Sequence, residues 1–263
     1  MPPVSPGLDV ESLGWPIGRK LGPLVIVMAA YNEAAAIGST LERIPSEVCR
    51  LAVDVVVVVD GATDDTAGEA RRAGAHVWET THNCGQGAAL RLGYQLSRDH
   101  GAKYIATLDG DGQYDPAELF DVVAPLVAGQ ADFVTGSRRL GAAHTADRVR
   151  RAGVVFFASL ISRLTGQRIT DPANGLRAMR IEVTEAVPLE QAQYQAAELL
   201  VGALLRGFRV IEVPTTMYPR AAGSTKKGNN LVYGMGFARV ILTTWWRDRD
   251  AVRRRRPAER RQT

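Results

Sequence analysis

The chain has 263 residues, 46% of them hydrophobic, which suffices for one globular domain with tails and a sizeable core. Its two cysteines, Cys49 and Cys84, lie at no CxxC spacing; this excludes a disulfide framework and a structural zinc site, and fits a reducing cytoplasm. The net charge of +4 is lopsided, because from Arg247 onward eight arginines stand against three acidic residues, so that stretch carries +5 and the remainder −1.

An arginine-rich tail invites a nucleic-acid reading, but the body is slightly acidic and offers no aromatic-basic face, so no nucleic acid is expected as a partner. The opening residues, MPPVSPGLDVESLGWP, lack the basic start and apolar run of a secretory signal. No stretch reaches the roughly 18 to 20 uninterrupted apolar residues that span a bilayer. The chain is not expected to cross a membrane by itself.

Residues 24–30, LVIVMAA, and 53–59, VDVVVVV, are apolar runs of strand length. Such Val-rich runs are covered on both faces, which points to parallel strands in an α/β protein. Between them 33–44 has helical composition and stops before Pro45. The alternation predicts a helix over 64–73, a strand over 75–79, a helix over 87–100, a strand over 104–108, a helix over 116–127 and a strand over 131–135. Beyond 145 come an arginine-rich helix start, RVRRAG, the apolar VVFFASLI, a loop at TDPANG, a helix over 194–205 and a strand over 209–214.

In open α/β sheets ligands bind outside the carboxyl ends of the strands. Tyr31-Asn32-Glu33, Asp60-Gly61 and Asp109 to Asp111 each follow a predicted strand, so they gather at one sheet edge. Aspartates after a strand commonly shape turns. Alternate carboxylates such as Asp109 and Asp111 also suit a hard divalent cation, Mg²⁺ or Mn²⁺, shared with substrate phosphates. Gly85 and Gly87 open a helix and let backbone approach a phosphate.

The segments AAYNE, VVDGATDDT, HNCGQGAALRLG, LDGDGQYDP, TGSRR, TDPANGLRAMR and EVPTTMYPRAAGSTKKG, in this order, resemble the inverting family 2 glycosyltransferases with the GT-A fold. More narrowly, they are similar to the polyprenol-phosphate (dolichol-phosphate) sugar synthases over roughly residues 24 to 230. The resemblance implies an α/β, Rossmann-like nucleotide-diphospho-sugar transferase fold with a mainly parallel central sheet. It places Tyr31, Glu33, Asp60, Gly85, Gly87 and Asp109 around the nucleotide of a GDP- or UDP-sugar. Asp109, Asp111 and Gln113 match the metal-binding DxD element, and Asp111, Asp171 and Arg138 are the implied catalytic residues.

The implied acceptor is polyprenyl phosphate, a second family 2 pattern being a soluble or glycan acceptor. A phosphate monoester, with a second pKa of about 6, is already an oxyanion near neutrality and needs cations to bind it more than a base to deprotonate it. Arg138, Arg220, Ser224 and Lys226 are the acceptor-phosphate candidates. Asp171 matches an element that positions the acceptor or acts as a base, and Glu198 falls where relatives carry an acid, a structural ion pair being its other reading. The sequence departs from the family pattern at Ala29, Val59, Ala62, Gln86, Asn174 and Leu176.

The expected organisation is a tail over 1–22, a catalytic domain over 23–228, an interfacial or docking helix over 229–247 and a basic tail over 248–263. LVYGMGFARVILTTWW, followed by arginines, suits the headgroup layer of the cytoplasmic membrane face, and equally a helix packed on the domain. Many relatives carry transmembrane helices after the catalytic domain, so a small membrane protein is an expected partner.

Overall fold

The computed structural model describes residues 10–11, 20–144, 148–219 and 230–259. In chain order the elements are β1 (Val10–Glu11), β2 (Leu24–Ala30), α1 (Ala34–Glu42), β3 (Glu47–Val48), β4 (Leu51–Asp60), α2 (Thr66–Arg72), β5 (His76–Thr80), α3 (Gln86–Asp99) and β6 (Tyr104–Thr107). A 3-10 turn at Pro116–Glu118 leads into α4 (Leu119–Val127), then β7 (Phe133–Ala143), α5 (Arg148–Thr165), β8 (Arg177–Arg180), α6 (Ile181–Ala186), α7 (Gln195–Leu205), β9 (Val210–Met217) and α8 (Asn230–Glu259).

The strands form one sheet in the order β1-β5-β4-β2-β6-β8-β7-β9, with β3 paired to β4. β5, β4, β2 and β6 run parallel, as the apolar runs of β2 and β4 imply. β8 is antiparallel to β6 and β7, and β7 is parallel to β9, which makes the sheet mixed around a parallel centre. In register, Ala30 lies opposite Val59 and Val27 opposite Thr107. The carboxyl ends of β2, β4 and β6 therefore meet at one edge.

Side chains of successive strand residues point to opposite faces. Val25 and Val27 join Val56 and Val58 in a core with α3, α7 and α8, while Leu24, Ile26 and Met28 join Val57 and Val59 in a core with α1 and α4. α7 is buried from Ala197 to Leu205 and lies against α8. Gly93 of α3 is required by close approach, since a Cβ there would stand 2.3 Å from Val27 Cγ1.

The helix expected over 229–247 is longer in the structure, running from Asn230 to Glu259. Its inner face, with Phe237, Val240, Ile241 and Thr244, is buried, and Asp248 is held by Arg206 at 2.6 Å. Burying three such apolar side chains contributes roughly 5 to 8 kcal/mol, so this face belongs to the domain. No helix among the described residues is long and apolar enough to cross a membrane.

Candidate active site

The loops after β2 and β4 are knitted to each other. Asn32 adopts a left-handed φ of 51°, tolerated by Asn, and its side-chain oxygen accepts from Thr63 N at 2.8 Å. Glu33 N donates to Thr66 Oγ1 at 2.9 Å, and Ala34 N to Asp64 Oδ2 at 3.2 Å. Tyr31 and Glu33 are half-buried on this loop.

Asp60 ends β4 with its side chain buried, and its two oxygens accept from Cys84 N and Gly85 N, each at 2.7 Å. That gives Asp60 a definite task, fixing the loop that leads into α3. Gly85, at φ 95°, and Gly87 face the backbone of Gln191 and Ala192: a Cβ on Gly85 would lie 2.6 Å from Ala192 O, and one on Gly87 2.2 Å from Gln191 O. Gly87 N donates to Ala192 O at 2.7 Å. The close approach these glycines permit is to another stretch of chain.

That stretch is itself braced. Glu198 of α7 is fully buried and accepts from Glu190 N at 2.9 Å and Gln191 N at 3.0 Å. Of the two readings of Glu198, the structure shows the ion pair, 3.2 Å from Arg247 of α8.

Beyond β6, Gln86 Nε2 lies 3.4 Å from Asp109 Oδ1, and Asp109 Oδ2 occupies the space a Cβ on Gly175 would take. Asp111, 5% exposed, accepts from Gln113 N at 3.0 Å. Gln113 Nε2 donates to Tyr218 O at 3.2 Å, which leaves the amide oxygen as the atom available to a cation. Among the described residues no three His, Cys, Asp or Glu side chains form a protein-only cage. Two carboxylates one residue apart fit Mg²⁺ or Mn²⁺, which commonly complete their shell with substrate phosphate and water.

Arg138 of β7 and Asp171 form a buried pair: Arg138 Nε and Nη2 donate to the two carboxylate oxygens at 2.6 and 2.7 Å, and Arg138 N donates at 3.0 Å. Burial alone would raise the Asp171 pKa; the Arg138 contacts and the Ala173 N–H outweigh it and hold the carboxyl below its usual range. For Arg138, burial disfavours the charge and Asp171 more than offsets it, with smaller contributions from Tyr114 and Tyr233. An unexposed carboxylate with depressed proton affinity is poorly placed to act as a base and well placed to orient Arg138. One Nη1 hydrogen donates to Met217 Sδ at 3.3 Å, so the second hydrogen on Nη1 and the second on Nη2 are what the pair can offer an anion.

Two participants were missed from the sequence. Glu212 of β9 accepts from Thr170 N, Thr170 Oγ1 and Asp171 N at 2.8 Å each, thereby setting the loop that carries Asp171. A lone acid inside the apolar run RVIEVP was its available signal. Arg177 of β8 is 3% exposed; Nη1 donates to Ala196 O at 3.1 Å, while Nε and Nη2 find no partner among the described residues. Burial lowers its proton affinity, opposed by Tyr94, Tyr114, Asp109 and Asp171. Arg220, Ser224 and Lys226 lie outside the described residues.

The family model described as glycosyl transferase family 2 matches residues 25–187. A dolichyl-phosphate hexose transferase of Haloferax volcanii is 36% identical over 203 residues, 77% of this chain and 86% of the relative. An undecaprenyl-phosphate mannosyltransferase of Micrococcus luteus is 28% identical over 84% of this chain and 93% of its own length. Among solved structures, a Mycobacterium tuberculosis glucosyl-3-phosphoglycerate synthase in complex with Mg²⁺ and UDP superposes with a TM-score of 0.65 at 21% identity, covering 88% of this chain and 82% of that one. The strand order, the edge formed by β2, β4 and β6, and these likenesses agree: the fold is GT-A, and the chain belongs to glycosyl transferase family 2.

Proposed function

We propose that the protein transfers a sugar from a GDP- or UDP-sugar to polyprenyl phosphate, with inversion, at the cytoplasmic face of a membrane. The observation that carries the lipid acceptor is the outer stripe of α8. Val232, Met235, Leu242 and Trp246 recur there at helical spacing and are 61, 58, 47 and 63% exposed, where a soluble domain would place polar groups. Val149 and Phe156 of the neighbouring α5 are also exposed. Neither 148–165 nor 230–247 contains an acidic residue, and Arg249 stacks 3.3 Å over the Trp246 ring. This is the composition of a headgroup-layer contact with anionic lipid. Tyr233, on the same helix, lies near enough to Arg138 to influence its charge. The names of the Haloferax and Micrococcus relatives point the same way.

In this reading Tyr31 and Glu33 border the nucleoside, and Asp60, Gly85 and Gly87 shape the loop before α3. Asp109 and Asp111, with the Gln113 amide oxygen, would hold Mg²⁺ or Mn²⁺, which would supply neutralisation of the charge developing on the leaving nucleoside diphosphate. Arg138, oriented by Asp171, and the 220–226 segment with Arg220, Ser224 and Lys226 bind the acceptor phosphate. One phosphate oxygen attacks the anomeric carbon as the bond to the diphosphate breaks; no proton has to be removed, so no general base is required. A small membrane protein completes the assembly where anchoring helices are needed.

The test compares polyprenyl phosphate, the corresponding polyprenol and a soluble phosphate monoester as acceptors. Product from polyprenyl phosphate alone supports the reading; equal transfer to the soluble monoester overturns the lipid assignment.

A further inference from the structure

The mechanism above leaves the ion pairs at the foot of α8 unused, and these lie on a continuous path to the donor side of the site. Arg247 Nη1 is 3.2 Å from Glu198 Oε1 and 3.2 Å from Glu190 Oε2, while Nη2 donates to Pro188 O at 2.9 Å. Asp248 also contacts Arg247, at 3.0 Å, and is in turn held by Arg206. Arg247 thus grips both the start of the 188–192 segment and the buried carboxylate that binds its middle.

The far side of that segment meets α3. Ala192 O accepts from Gly87 N at 2.7 Å, Gln191 O accepts from Arg91 Nη1 at 2.7 Å, and any side chain on Gly85 or Gly87 would collide with the same two carbonyls. The α3 start is then clamped from both sides, by Asp60 on one and by 191–192 on the other. Gln86, between Gly85 and Gly87, reaches Asp109.

We infer that Arg247 is a positioning residue for the donor side. By holding Glu198 and Pro188 it keeps 188–192 pressed against Gly85 and Gly87, and so sets the first turn of α3 beside Asp109. The inference rests on the donor assignment proposed above and adds a regulatory consequence. The helix bearing the lipid-facing stripe also bears Arg247, so displacement of α8 at a membrane is transmitted to the nucleotide side of the site.

The test is hydrogen exchange and steady-state kinetics on the full chain carrying Arg247→Ala, with Arg247→Lys as a variant that keeps the charge and helix. In Arg247→Ala the Gly87 amide and the 189–192 amides exchange about tenfold faster or more, while β2 and β4 retain their protection. The nucleotide-sugar KM rises about tenfold with kcat and acceptor KM within about twofold, and Arg247→Lys falls between the two. Unchanged Gly87 exchange, or acceleration spread evenly over the domain, reduces Arg247 to a general strap and overturns the inference; so does an unchanged donor KM. The exchange measurement needs no donor, so it decides the relay even where the nucleotide-sugar assignment itself fails.

Discussion

Replacing Asp171 by Asn tests the central pair with almost no change of shape. Asp171 has no exposed side-chain area and Arg138 only 13%. Three donors from Arg138 converge on the carboxylate, and Asn cancels its charge while turning an NH₂ toward a guanidinium. Removing one partner of a buried pair costs about 3 to 5 kcal/mol; since Asn keeps one acceptor oxygen, the lower end, about 3 kcal/mol, is expected. With a urea m-value of about 2 to 3 kcal/mol/M, the unfolding midpoint falls by roughly 1 M. The pH dependence follows from the sign of the shift. The folded pKa of Asp171 is depressed, so its stabilisation is fully present above the unfolded value of about 3.9 and is lost as pH falls through the folded value. The gap between wild type and Asp171→Asn is therefore constant from about pH 7 down to about pH 4 and narrows below that. The paired change Arg138→Met with Asp171→Leu costs less than the sum of the two single changes. A loss under about 1 kcal/mol for Asp171→Asn near neutrality, or a gap that does not narrow in acid, refutes the reasoning.

Other expectations follow from the same geometry. Gly87→Ala drives a Cβ into Gln191 O and costs about 1 to 3 kcal/mol, read as a lower melting temperature, with a weaker donor KM in whatever protein folds. Asp60→Ala strands the Cys84 and Gly85 amides and costs about 2 kcal/mol, measurable by urea titration. Met235→Glu with Trp246→Glu places charge on the outer stripe of α8, so sedimentation with vesicles rich in anionic lipid drops while the melting temperature stays within a few degrees. Chelation abolishes transfer, and either Mg²⁺ or Mn²⁺ restores it in wild type.

How much of this was legible in the sequence depended on whether the cause was local. The runs 24–30 and 53–59 announce themselves because buried parallel strands need apolar side chains on both faces, and register alone then brings Tyr31, Asp60 and Asp109 to one edge. β8 escaped notice: RAMR is four residues long with an arginine at each end, and it becomes a strand only because β6 and β7 flank it. Strand propensity in such a place is set by neighbours far away in sequence. The glycines at 85 and 87 were readable as points of close approach, but what approaches is the 191–192 backbone, a partner about a hundred positions away that no spacing rule identifies. Glu212 belongs to the same class, since it binds the backbone amides of Thr170 and Asp171, 42 and 41 positions away. The inner face of α8 and its apolar outer stripe were both implicit in LVYGMGFARVILTTWW, and only the packing against α7 separates them.

The measurement that tests the account most directly is transfer from labelled GDP- and UDP-sugars into organic-extractable polyprenyl phosphate with Mg²⁺ or Mn²⁺, comparing wild type with Asp111→Ala. The account predicts a labelled lipid from wild type with one donor class and none from Asp111→Ala; a folded wild type that yields no lipid product from any donor, or an Asp111→Ala protein that works as well, contradicts it.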